Sequence, residues 1–104
     1  MGKETVDYSL YVVTDSSLLQ SSAKSLEDHV SQLIKGGVTI VQLREKHLTT
    51  AAFVKKGKQL ASITRAAGIP LIINDRVDVA LAINADGVHI GQDDMGIAVH
   101  IANS

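Results

Sequence analysis

The chain is 104 residues long, with 10 Lys and Arg against 11 Asp and Glu, no cysteine, one proline and three aromatic residues, Tyr8, Tyr11 and Phe53. That length holds one domain, and a 45% apolar fraction supports one modest core that must be largely aliphatic. A formal net charge of -1 removes any general electrostatic case for nucleic acid or an anionic membrane, and zero cysteines exclude a disulfide scaffold, a cysteine-ligated zinc and a thiol nucleophile.

Residues 8–14 (YSLYVVT) form a β-rich run that ends in the turn cluster Asp15, Ser16 and Ser17, a first strand. Leu26, Val30, Leu33 and Ile34 then fall on one helical face, with Ser25 and Asp28 in capping-box positions and Gly36-Gly37 at the carboxyl end. A second strand, VTIVQL, covers residues 38–43. Thr49 or Thr50 caps a second helix whose Phe53, Leu60, Ala61 and Ala67 share a face, closed by Gly68 and by Pro70 two residues on. PLIIN, residues 70–74, is a third strand. A short helix from Val77 to Ile83, a turn at Asn84-Ala85-Asp86-Gly87 and a fourth strand at residues 88–90 complete the series, and the remaining GIAVHIANS is a stub.

Strands alternating with helices predict an α/β fold with buried parallel strands, either an open doubly wound sheet or part of a (β/α)8 barrel. The turn after the first strand, TDSSLLQSS, lacks the glycines of a dinucleotide-binding loop. No apolar run approaches the roughly 20 residues that span a bilayer, and the start MGKETVDYSL has no signal-peptide core. The expectation is a soluble, cytoplasmic protein.

In both folds ligand sites lie at the carboxyl ends of the strands. After the second strand, period two points Gln42, Arg44 and Lys46 to one face and Leu43 and Glu45 to the other. An arginine fork and a lysine point charge suit phosphate oxygens; the plainer reading is solvated charges paired with nearby carboxylates. The third strand delivers Asn74 and Asp75 to the same rim, where Asp75 is equally suited to capping the next helix. The fourth runs into Gly91-Gln92-Asp93-Asp94. Asp75 and Asp94 together with phosphate oxygens would suit Mg2+, against the plainer reading of Asp93 and Asp94 as solvated acids. His89, a lone histidine within a strand, reads as structural. The turn at residues 84–87 fails as a calcium loop because Ala82 holds the first ligand position, and neither Ser16 nor Ser17 has the setting of a nucleophile.

YVVTD, GGVTIVQLREK, PLIINDR and ADGVHIGQDDM, in this order and at strand ends, resemble thiamine phosphate synthase over residues 8–95. The opening VDYSLYVVTDS is similar to the fungal members, in which this domain is fused to a hydroxyethylthiazole kinase domain. The resemblance implies a (β/α)8 barrel that joins 4-amino-2-methyl-5-(diphosphooxymethyl)pyrimidine to 4-methyl-5-(2-phosphooxyethyl)thiazole and releases pyrophosphate. By residue, it implies that Gln42, Arg44, Lys46 and Asn74 contact the pyrimidine diphosphate, with Arg44 and Lys46 acting on the leaving group, and that Asp75 and Asp94 bind Mg2+. It also implies that residues 1–104 form about the first four βα units of that domain, cut after the fourth strand. Gly96 stands where relatives often carry proline, and the stub does not continue the expected basic helix. A half-barrel would leave the first and fourth strands as open edges, which predicts self-association, as in a homo-oligomer, or aggregation or poor folding unless a partner supplies the rest. The other readings are an inactive fragment and a thiazole tautomerase-like relative; the complete set of diphosphate and metal residues speaks against the latter.

Overall fold

The computed structural model describes residues 9–14, 25–92 and 95–100. Its elements are β1 (Tyr11–Thr14), α1 (Leu26–Lys35), β2 (Ile40–Leu43), α2 (Thr50–Ala67), β3 (Leu71–Asn74), α3 (Val77–Ile83), β4 (Gly87–Gln92) and β5 (Met95–His100).

α1 and α2 begin where a hydroxyl satisfies a free backbone amide, and α2 and α3 end on residues in the left-handed conformation. The Ser25 hydroxyl accepts from the Asp28 amide at 3.1 Å at the start of α1, and the Thr49 hydroxyl accepts from the Ala52 amide at 3.1 Å at the start of α2. Of the two threonines that could cap α2, Thr49 does so and Thr50 is the first helical residue. Gly68 closes α2 with φ 71°, a left-handed conformation that costs glycine nothing. Asn84 closes α3 in the same region.

β1 to β4 are parallel and lie side by side in chain order. A doubly wound sheet reverses its strand order at a switch point, whereas an uninterrupted order with helices between strands is an arc of a (β/α)8 barrel. The three helices share one core with one face of the sheet. Period two sends Val41, Leu43, Leu71, Ile73 and Val88 into that core, against Leu26 and Val30 of α1, Phe53 and Leu60 of α2 and Val79 of α3. Each of these is at most 3% exposed.

The carboxyl-terminal stub departs from expectation. Residues 95–100 form a strand that runs antiparallel along the whole of β4, from Gly87 opposite His100 to Gln92 opposite Met95. β4 therefore has β3 on one side and β5 on the other, and its edge is not open. MGIAVH contains no proline, so β5 lacks none of the N–H groups that the ladder with β4 needs, and its Ile97 and Val99 are β-branched.

Candidate active site at the carboxyl ends of the strands

Alternation that buries Leu43 and Ile73 under the helices turns the intervening residues to the opposite face. Val13, Gln42 and Ile72 lie in one register row across β1, β2 and β3, and Asn74 lies beside His89 across β3 and β4. Gln42 is only 3% exposed, and a buried amide needs partners. Its Nε2 donates to the Tyr11 hydroxyl at 2.9 Å and its Oε1 accepts from Asn74 Nδ2 at 2.9 Å. Three strands are thereby cross-linked through side chains, and Asn74 is presented at the rim in a defined orientation.

Arg44 follows directly. Its amide donates to the Thr14 carbonyl at 2.9 Å, which extends the β1–β2 ladder past Leu43 and keeps Arg44 in phase with Gln42. The alternation does not carry to Lys46, because the chain bends over residues 46–48; Lys46 is exposed at the same end of the sheet. Asp75 comes immediately after β3. It does not cap α3: Arg76 occupies that position. Asp75 instead adopts φ 64°, uncommon for a residue with a Cβ, while its amide donates to the His89 carbonyl at 2.7 Å. Asp94 lies outside the described residues. Among the described residues no group of three or more histidines, cysteines, aspartates or glutamates could hold a metal ion, and no helix is long and apolar enough to cross a membrane.

Two members of this face carry no functional role in the sequence reading. His89 is one, and its buried Nδ1 has no hydrogen-bond partner among the described residues. Tyr11 is the other; period two along YVVT places it on the face of Val13, but its contact with Gln42 spans 31 residues of chain.

At the margin of the face Arg76 joins three groups. Its Nε and Nη2 donate to the two carboxylate oxygens of Asp78 at 3.0 and 2.9 Å, Nη2 also donates to the Thr50 hydroxyl at 2.7 Å, and Cζ stands 5.8 Å from the Phe53 ring centroid. The hydrogen bonds from Arg76 hold the Asp78 carboxyl below the ordinary aspartate range, and those same bonds raise the Arg76 guanidinium.

The family model described as thiamine monophosphate synthase matches residues 10–103. The chain is 53% identical to a thiamine-phosphate synthase of Chloroflexus aurantiacus over 90% of its own length and 43% of the relative's, and 55% identical to one of Clostridium acetobutylicum over 88% and 43%. It is 53% identical to a probable thiamine biosynthetic bifunctional enzyme of Schizosaccharomyces pombe, over 93% of the chain and 18% of the relative. Among solved structures, thiamine phosphate pyrophosphorylase from Pyrococcus furiosus superposes with a TM-score of 0.71 at 37% identity, over 83% of this chain and 40% of that one. The chain thus spans less than half the length of these relatives. Matched along nearly all of its sequence by one family and sharing the fold of a solved relative, the chain belongs to the thiamine monophosphate synthase family.

Proposed function

We propose that the strand-end face is the pyrimidine diphosphate site of a thiamine phosphate synthase, which condenses 4-amino-2-methyl-5-(diphosphooxymethyl)pyrimidine with 4-methyl-5-(2-phosphooxyethyl)thiazole to give thiamine phosphate and pyrophosphate. The observation that carries this reading is the Tyr11–Gln42–Asn74 chain of hydrogen bonds, which holds two amides at the rim beside Arg44. Gln42 and Asn74 bind and orient the pyrimidine diphosphate. His89 Nδ1, buried on the same face without a hydrogen-bond partner among the described residues, offers the ligand a further hydrogen bond. Arg44 and Lys46 receive the diphosphate oxygens. As the bond from the ring methylene carbon to the diphosphate oxygen breaks, negative charge builds on the leaving group, and these cations stabilise it most in the transition state. The thiazole nitrogen then donates its electron pair to the methylene carbon, so no protein group has to transfer a proton in the coupling step.

Asp75 with Asp94 would hold Mg2+. The Asp75 carboxylate does not cap α3 and sits next to Asn74, and a hard oxygen donor there suits an ion commonly held by one or two carboxylates plus phosphate oxygens. When bound, Mg2+ neutralises charge on the diphosphate. The small-molecule substrates and the lack of cysteine support a cytoplasmic setting. Calorimetric titration of the pyrimidine diphosphate in the presence of Mg2+ tests the site. Saturable binding that weakens at least about tenfold in Arg44→Ala, the loss expected for a charge-assisted contact, supports it. Equal binding by the wild-type chain and Arg44→Ala overturns it.

A further inference from the structure

Arg76 takes no part in the proposed chemistry, yet its guanidinium contacts three side chains of the rim, carried on the two helices α2 and α3. Its guanidinium joins the first residue of α2, through the Thr50 hydroxyl, to the first turn of α3, through both oxygens of Asp78, and lies over the buried ring of Phe53. An exposed ion pair contributes little to stability by itself. What a two-pronged contact with a second hydroxyl anchor and an aromatic face does supply is a fixed position, because the planar fork is satisfied in one orientation only. The residue held in place this way directly follows Asp75, whose φ of 64° is strained for a side chain with a Cβ and persists only when its surroundings impose it. Residue 74, one step earlier, is the amide that Gln42 receives.

We infer that Arg76 is a positioning residue of the site: anchored on Asp78, Thr50 and the Phe53 ring, it holds the Asn74-Asp75 turn so that Asn74 stays on Gln42 and the Asp75 carboxylate stays at the strand ends. The functional part of this inference rests on the pyrimidine diphosphate reading, and the conformational part does not. A direct role for the Arg76 charge on the diphosphate is the competing explanation, and Arg76→Lys separates the two. Lysine keeps the charge and lacks the planar fork.

The test uses the full 104-residue chain and the variants Arg76→Lys, Arg76→Ala and Thr50→Val. In NMR, the backbone couplings that report a positive φ at Asp75 and the hydrogen exchange of the Asn74 side-chain amide follow the turn without any ligand. The inference expects Arg76→Lys and Arg76→Ala to lose the single positive-φ state and to speed exchange of the Asn74 amide, with Thr50→Val showing a smaller change of the same sign. A turn that keeps its couplings and its protection in the arginine variants overturns the inference. If Arg76→Ala fails to fold, Arg76→Lys and Thr50→Val decide it. In titrations with Mg2+ and the pyrimidine diphosphate, Arg76→Lys should bind roughly 10- to 100-fold more weakly than the wild-type chain, as for other residues that orient a ligating group. Full retention by Arg76→Lys assigns the effect to charge and overturns the positioning role. A wild-type chain that binds no diphosphate overturns the functional reading alone, and the Asp75 couplings then decide the inference by themselves.

Discussion

A buried amide is stable in a sheet only when its donor and acceptor are both matched, and Gln42 is matched on either side by Tyr11 and Asn74. Removing the amide takes away the acceptor to which Asn74 donates and one contact of Tyr11, so Gln42→Ala should lower the unfolding free energy by about 1–3 kcal/mol in a urea titration. It should also weaken binding of the pyrimidine diphosphate, since Asn74 loses the contact that orients it. At Asp78 the sign of the pH dependence follows from the hydrogen bonds that Arg76 donates. A carboxyl held lower in the folded chain than in the unfolded one contributes its stabilisation above the unfolded value of about 3.9, and the contribution disappears as pH falls through the lower folded value. Both groups are exposed, so the contribution is small and screened by salt. The expected observation is an Asp78 carboxyl that titrates in NMR below about 3.9 in the wild-type chain and near that value in Arg76→Ala.

Elements are set by their ends and by how closely they approach. With Thr49 serving as the cap of α2, the hydroxyl of Thr50 is left to receive Arg76, a division of labour between adjacent threonines that only the helix phase decides. Within α2, Gly57 lets the helix approach α3: a Cβ there would stand 2.8 Å from Cδ1 of Ile83. Alanine has the better helix propensity by about 1 kcal/mol, while overpacking a buried site costs typically about 1–3 kcal/mol. Ile83 is 4% exposed and has little room to turn away, so the clash wins and Gly57→Ala should be net destabilising. In an Ile83→Val background, which lacks the opposing methyl, the same substitution should stabilise the chain. Denaturation midpoints of the four proteins in this cycle check the claim, and additive effects would refute it.

For the whole molecule, the parallel strands in chain order make an arc that fills only part of a barrel wall, and the antiparallel β5 occupies the side of β4 on which a further parallel strand would pair. A strand has two edges, so extending the wall past β4 requires β5 to leave. Coupling two substrates depends on holding them together, an effect worth roughly 7–11 kcal/mol, and a polypeptide of these 104 residues has less than half the length of its synthase relatives with which to do so. Alone it should form no detectable thiamine phosphate in a steady-state assay. Turnover should emerge on mixing with a separately expressed carboxyl-terminal half of a full-length relative, and Asp94→Ala should abolish it. Turnover by the unmixed chain would contradict this.

Short-range order was legible in the sequence because its causes are short-range. Ser25 and Gly68 sit within a turn of the groups they satisfy, the cap of α2 is narrowed to Thr49 or Thr50, and the period-two runs around Leu43 and Ile73 state which side of the sheet each residue takes. The same periodicity placed Gln42 and Arg44 on one face, and the β-α alternation restricted the fold to two architectures. Choosing between them needed the strand order, which is a property of pairing between distant segments. Distance along the chain also hid the role of Tyr11, 31 residues from Gln42, and the bridge from Arg76 to Thr50, 26 residues away. Asp75 looked as well suited to capping as to ligand binding, because an aspartate before a helix serves either purpose; the left-handed turn that moves the cap to Arg76 arises only once β3, β4 and α3 are assembled. The fate of residues 95–100 was decided the same way, since a short β-branched segment takes its conformation from whatever edge is next to it, and here that edge is β4.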